Sequence, residues 1–262
     1  MKRVSVLLIV VAMTLGLTAC DRGVNPADKT ELIVFAAASM TETLTAIETK
    51  YEAAHEDIDL VFTFDSSGTL KTQIEEGASC DVFISAAPKQ MNQLEELNLV
   101  LLDSRADLLE NKVALCVAEG NPADIHSYDE LAAALQAGTV LLAVGNSDVP
   151  VGQYTQKIFA YYGIDEAAVA DKLTYGSNVK DVTTAVTEAA ADCGIIYATD
   201  AFSAGLTPVD TATADMCGQV IYPAAVLNTS AHQEEARAFL DYLTREEAAT
   251  IFEAVGFTAL AG

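Results

Sequence analysis

The sequence predicts an α/β fold built on parallel strands, and three observations carry that prediction. Leu32-Ile33-Val34-Phe35 is an unbroken β-favouring apolar run, the pattern of a strand covered on both faces. It passes through three alanines to Ser39, with Glu42 three residues on, which reads as a capping box at a helix start; Leu44, Ile47 and Tyr51 then keep helical spacing. From Leu32 to Leu97 the order is βαβαβα, which calls for a parallel sheet with helices on both faces.

The later elements follow the same logic. Ile58 to Phe64 alternates as a strand and leads into Asp65-Ser66-Ser67-Gly68-Thr69-Leu70, then a helix carrying Leu70 and Ile74. Val82 to Ser85 is a third strand, followed by Ala86-Ala87-Pro88 and a helix with Met91, Leu94 and Leu97. Lys112 to Ala118 is a strand broken by Glu119-Gly120-Asn121-Pro122, and Tyr128 to Ala137 is a helix ending at Gly138. Thr139 to Val144 is a strand, and Gly145 to Gly152 turns into a helix with Tyr154, Ile158, Tyr161 and Tyr162. Ser177-Asn178 precedes a helix spaced by Val179, Val182 and Val186, and Gly194 to Tyr197 is a short buried strand. Gln219 to Leu227 forms a last long strand, with closing helices over Ala231 to Leu243 and Arg245 to Val255. In open α/β sheets, loops of small and hydroxyl residues at the carboxyl ends of strands line the ligand crevice, and here such loops recur.

The amino terminus reads as an export signal. Lys2 and Arg3 form a basic start, and Val4 to Met13 is apolar but too short to span a bilayer. With residues 1–19 removed, 12 Lys and Arg face 38 Asp and Glu, a net charge of −26. Such a chain is a poor candidate for nucleic acid, which needs clustered cations. The three histidines are scattered without ligand spacing, so no metal-cation site is expected. Of the cysteines beyond Cys20, Cys193 and Cys217 are the pair an oxidising compartment could join, whereas Cys80 and Cys116 read as buried thiols.

Two resemblances sharpen this reading. Leu17-Thr18-Ala19-Cys20 resembles the lipobox of bacterial lipoproteins, which implies cleavage after a 1–19 signal peptide, lipidation of Cys20 and a tether over residues 20–30. The body of the chain resembles the molybdate-binding proteins of ABC importers, in VFAAASMTETL (34–44), FDSSGTLKTQIEEGASCDVFISA (64–86), VGNSDVPVGQYTQKIF (144–159), SNVKDVTTAV (177–186), GIIYATDA (194–201) and VIYPAAVL (220–227). That resemblance implies the class II periplasmic-binding-protein fold: two α/β lobes, a cleft between them and two crossover strands. Lobe 1 is expected over 31–112 plus 223–262, and lobe 2 over 113–222.

Carried over by position, the resemblance implies that molybdate or tungstate, as an oxyanion ligand with no cofactor, contacts Ser39, Ser67, Val151, Val179 and Tyr197. The serines would give hydroxyls and N–H groups, the valines backbone N–H groups, and Tyr197 its phenol. Val151 stands where many relatives have alanine, and Lys180 where relatives often have arginine; Lys180 is expected outside the ligand shell. The implied partners are the membrane subunits of an importer and, through lipid, the membrane; the protein is expected to be a monomer and no enzyme. Singly, each position has a plainer reading: an N-cap at Ser39 or Ser67, a turn at Pro150, and core packing at Val179 and Tyr197. Another oxyanion such as sulfate, a ligand sensor, or an exported serine hydrolase remain alternatives, although the hydrolase lacks a G-x-S-x-G elbow.

Overall fold

In the computed structural model, residues 29–260 are described, so the signal peptide, Cys20 and nearly all of the tether lie outside them. The first sheet has six strands in the order β11-β4-β10-β3-β1-β2: β1 (Thr30–Ala37), β2 (Ile58–Asp65), β3 (Val82–Ile84), β4 (Ala106–Asn111), β10 (Val220–Val226) and β11 (Thr258–Ala259). Strand β1 is parallel to β2 and β3, as the opening pattern predicts, while β10 runs antiparallel to β3 and β4. It begins at Thr30, a residue the sequence reading gave to the tether.

Helices cover both faces of this sheet. Leu32, Val34 and Ala36 pack in one apolar cluster with Leu44, Ile47 and Tyr51 of α1 (Thr41–Ala54), Phe239 of α9 (Gln233–Leu243) and Phe252 of α10 (Glu246–Ala254). Alternate residues point the other way. Phe35, Phe83 and Ala225 pack with Leu70 and Ile74 of α2 (Ser67–Glu75) and with Met91 and Leu94 of α3 (Pro88–Glu96). Apolar residues on both faces of one strand are what makes β1 read as a continuous apolar run.

The second sheet has five strands in the order β7-β6-β8-β5-β9: β5 (Val113–Val117), β6 (Leu142–Gly145), β7 (Leu173–Gly176), β8 (Cys193–Tyr197) and β9 (Asp210–Thr211). Around it lie α4 (Tyr128–Ala137), α5 (Pro150–Tyr162), α6 (Val179–Thr187), α7 (Ala198–Ser203) and α8 (Ala214–Cys217). These are two mixed α/β sheets, hence two lobes. The chain leaves the first through the single residue Lys112 between β4 and β5, and returns to it in β10.

Strands β4, β7, β9 and β11 were not foreseen. Each is short or half-exposed and lacks a clean period, so pairing with a neighbouring strand decides it. The suggested Cys193–Cys217 pairing is not made: Cys80, Cys116, Cys193 and Cys217 are free and buried. Cys193 lies inside the second sheet, whereas the Cys217 thiol bonds back to the Thr213 carbonyl of its own helix.

Candidate functional site

The lobes meet at a narrow space lined by Ser39, Ser67, Val151, Val179 and Tyr197, the five sequence-predicted positions. Ala37, Ala38, Asp65, Ser66, Ala86, Val149 and Pro150 complete the lining, with no Lys, Arg or His among the described residues.

Helix starts build most of the wall. Helix α2 begins at Ser67, α5 at Pro150 and α6 at Val179. The N–H groups of a first helical turn have no partner within the helix and carry the positive end of its dipole, so three such ends aim at one space. Proline at the first position of α5 has no N–H to orphan and presets the backbone for helix. Gly152 allows the start of α5 to lie against β6: a Cβ there would stand 2.3 Å from the Gly145 carbonyl oxygen and 2.2 Å from that of Asn146.

Ser39 corrects the sequence reading. It does not cap α1; the N-cap is Met40, without a side-chain bond, and Ser39 lies in a 3-10 turn over Ala38–Met40. Its Oγ instead sits 2.9 Å from Tyr222 Oη, a residue of β10. The N-cap of α2 is likewise Ser66, whose Oγ accepts from Gly68 N–H. Ser67 Oγ is thereby released from capping and accepts from Ala86 N–H at 3.0 Å. Since that oxygen already accepts, its own proton is left for the cavity.

Tyr197 is buried, and its hydroxyl has no hydrogen-bond partner among the described residues. Burial, with Tyr222, Tyr154 and Asp200 nearby, holds its pKa well above the ordinary tyrosine value, so it remains a donor at neutral pH. An unpartnered buried hydroxyl in a polar cavity is costly unless something there accepts from it. One carboxylate, Asp65, also touches the space, with Oδ1 held at 2.7 Å by Ser66 N–H.

The two lobes press together around the site. Gly68 of α2 approaches Asp148 so closely that a Cβ would lie 2.2 Å from its carbonyl oxygen. On α6, Lys180 lies outside the cavity lining and spans the lobes, bonding Glu42 of α1 at 2.8 Å and pairing with buried Asp200 at 3.4 Å. Burial would lower the Lys180 pKa, but Asp200 and Glu42 outweigh it and raise it. The sequence reading missed Asn111 and Tyr222. Tyr222 falls inside the quoted VIYPAAVL segment, and a tyrosine in an otherwise apolar central strand was the available signal.

Helix starts and hydroxyls from two lobes, facing one space between them, are the arrangement of a solute-binding site. The chain belongs to the bacterial extracellular solute-binding protein family, whose model matches residues 32–258. It is 30% identical to the Bacillus subtilis (strain 168) protein named "Putative ABC transporter substrate-binding lipoprotein YvgL", over 98% of this chain and 99% of that one. To the molybdate-binding protein ModA of Haemophilus influenzae it is 32% identical, over 90% of this chain and 93% of that one. A solved Clostridium difficile structure, titled "substrate binding domain of putative molybdenum ABC transporter", superposes with TM-score 0.66 at 30% identity, over 88% of this chain and 99% of that one. This is therefore a non-enzymatic solute-binding protein of ABC transport.

Proposed function

We propose that this protein captures molybdate, and tungstate with it, in the interlobe cavity and presents it to the membrane subunits of an ABC importer while Cys20 holds it to the membrane by lipid. The observation that supports this most is the donor set: Ser39, Ser67 and Tyr197 hydroxyls and the N–H groups at Val151 and Val179 surround one space without a cation. A fully deprotonated tetrahedral dianion only accepts hydrogen bonds, and every group assigned here donates. Each hydrogen bond to a charged group contributes roughly 1.5–3 kcal/mol net, so several together reach the ~8 kcal/mol of micromolar affinity. Neutral donors also suit a protein whose charge without residues 1–19 is −26, in which binding owes little to long-range attraction. The relatives named for molybdate support the same ligand.

Calorimetric titration with molybdate, tungstate, sulfate and phosphate tests the proposal. The expected result is one-to-one binding of molybdate and tungstate, weakened at least a hundredfold in the Ser39→Ala/Ser67→Ala double variant. Binding of sulfate alone, or of none of the four, would overturn it.

A further inference from the structure

Beneath the cavity a chain of buried side-chain hydrogen bonds crosses from one lobe to the other through both connections. Asn111, the last residue of β4, bonds through Nδ2 to Thr199 Oγ1 at 2.9 Å and to Tyr222 Oη at 3.1 Å. Tyr222 Oη in turn lies 2.9 Å from Ser39 Oγ. All four residues are buried, Tyr222 fully so. The ladder between β10 and β4 shifts register between Tyr222 and Pro223, the residue without an N–H; such a bulge re-aims a side chain.

We infer that Asn111 and Tyr222 are positioning residues that fix the direction of the Ser39 proton, and thereby make the site select oxyanions that carry no proton. The direction follows from counting hydrogens. The Lys112 N–H donates to Asn111 Oδ1 at 2.8 Å, which identifies the other end of the amide as the NH₂ group. That group has two protons, and its two partners, Thr199 Oγ1 and Tyr222 Oη, each receive one. The Asn111 amino group can only donate to Tyr222 Oη, so among the described hydrogen-bond partners of that phenol Ser39 Oγ is the one left to accept its proton. Burial keeps that phenol protonated, its pKa well above the ordinary value. Ser39 Oγ thus accepts from Tyr222, and its own O–H faces the cavity it lines.

The two serines reach the same end by different means. Ser67 is held as a donor by a backbone N–H, which no substitution at Ala86 short of proline removes. Ser39 is held by side chains, so its polarity can be reversed by changing single atoms. A ligand oxygen bearing a proton meets the Ser39 proton rather than a Ser39 lone pair, and that mismatch disfavours hydrogen phosphate against molybdate.

This inference rests on the oxyanion reading of the cavity, and the test separates the two. Affinities for molybdate and for phosphate are measured at about pH 7.5 in the protein purified in detergent, with folding checked by circular dichroism. If the unaltered protein binds no oxyanion, the functional proposal fails first. If it binds, Tyr222→Phe keeps the ring but frees the Ser39 lone pairs. Molybdate is then expected to bind about tenfold more weakly, and the molybdate-over-phosphate preference to shrink.

Asn111→Asp is the reversing substitution. A carboxylate still accepts from Lys112 N–H but takes the Tyr222 proton instead of giving one, so Ser39 must turn its own proton toward Tyr222. The molybdate affinity should fall more than in Tyr222→Phe. In the double variant Tyr222→Phe/Asn111→Asp the reversal cannot pass to Ser39, and the added loss should be only that of the new charge. Equal losses for both ligands in Tyr222→Phe, or strict additivity in the double variant, would overturn the inference. Those outcomes would leave Asn111 and Tyr222 as packing residues.

Discussion

The two halves of the cavity are made of different material. The first lobe contributes two serine side chains, each oriented by a hydrogen bond to its oxygen, from Tyr222 or from Ala86. The second lobe contributes the backbone at Val151 and Val179, where helices begin, and one unpartnered phenol at Tyr197. The first half depends on which atoms its side chains carry, while the second depends on where its helices start. Substitutions should therefore read very differently in the two halves, although both line the same space.

Of three further substitutions, the largest effect is expected where the halves touch. Gly68→Ala places a methyl group 2.2 Å from the Asp148 carbonyl oxygen, a backbone atom that can retreat only if the lobes part. Ligand affinity should fall by tenfold or more while the thermal stability of the free protein hardly changes, since neither core is altered. Calorimetry with parallel melting curves checks this, and unchanged affinity would show that binding does not need the lobes this close.

A smaller effect is expected from the pair that spans the lobes at the surface. The Lys180 and Glu42 side chains are 33% and 48% exposed, and exposed pairs contribute about 0–1 kcal/mol, so Lys180→Met should weaken binding no more than roughly fivefold, and less in high salt. The same substitution has a second readout. Burial pushes the Asp200 carboxyl up to about 7, with Lys180 partly opposing the rise. A carboxyl raised on folding binds more protons folded than unfolded, so its contribution favours the fold at low pH and is lost as pH rises from about 4 toward 7. Without Lys180 the rise is larger, so the fall in Tm with pH should extend above about pH 7. An identical pH profile in the variant would mean that Lys180 does not govern Asp200.

The smallest effect on affinity is expected at Val151→Ala. Its side chain is fully buried, so the truncation should cost about 2 kcal/mol of stability. The N–H group is unchanged, and molybdate should bind within about threefold of the parent. A loss as large as that from a serine substitution would erase the contrast between the two halves.

Much of this arrangement is legible in the chain itself. Strand β1 and helices α4 and α5 announce themselves by an apolar run, the closing Gly138 and the turn at Pro150, all of which are local signals. The loops that hold Ser67, Val151 and Val179 stand out because helix starts after strands need hydroxyl, proline or small residues. Short strands such as β9 and β11 left no comparable mark, because a pair of residues has no period and exists only by pairing with β5 or β4.

What the sequence determined by itself was the alternation of strand and helix and the helix starts on which an anion could rest. The tertiary structure alone decided what each hydroxyl does. Ser39 looks like a cap and is instead bound to Tyr222, 183 residues away; Ser67 passes capping to Ser66 and takes a bond from Ala86. Asn111 gains its role from Thr199 and Tyr222, which lie 88 and 111 residues further on. Helix and strand preferences are set by neighbours along the chain, but a buried hydroxyl takes the nearest partner in space, and that partner is supplied by the fold.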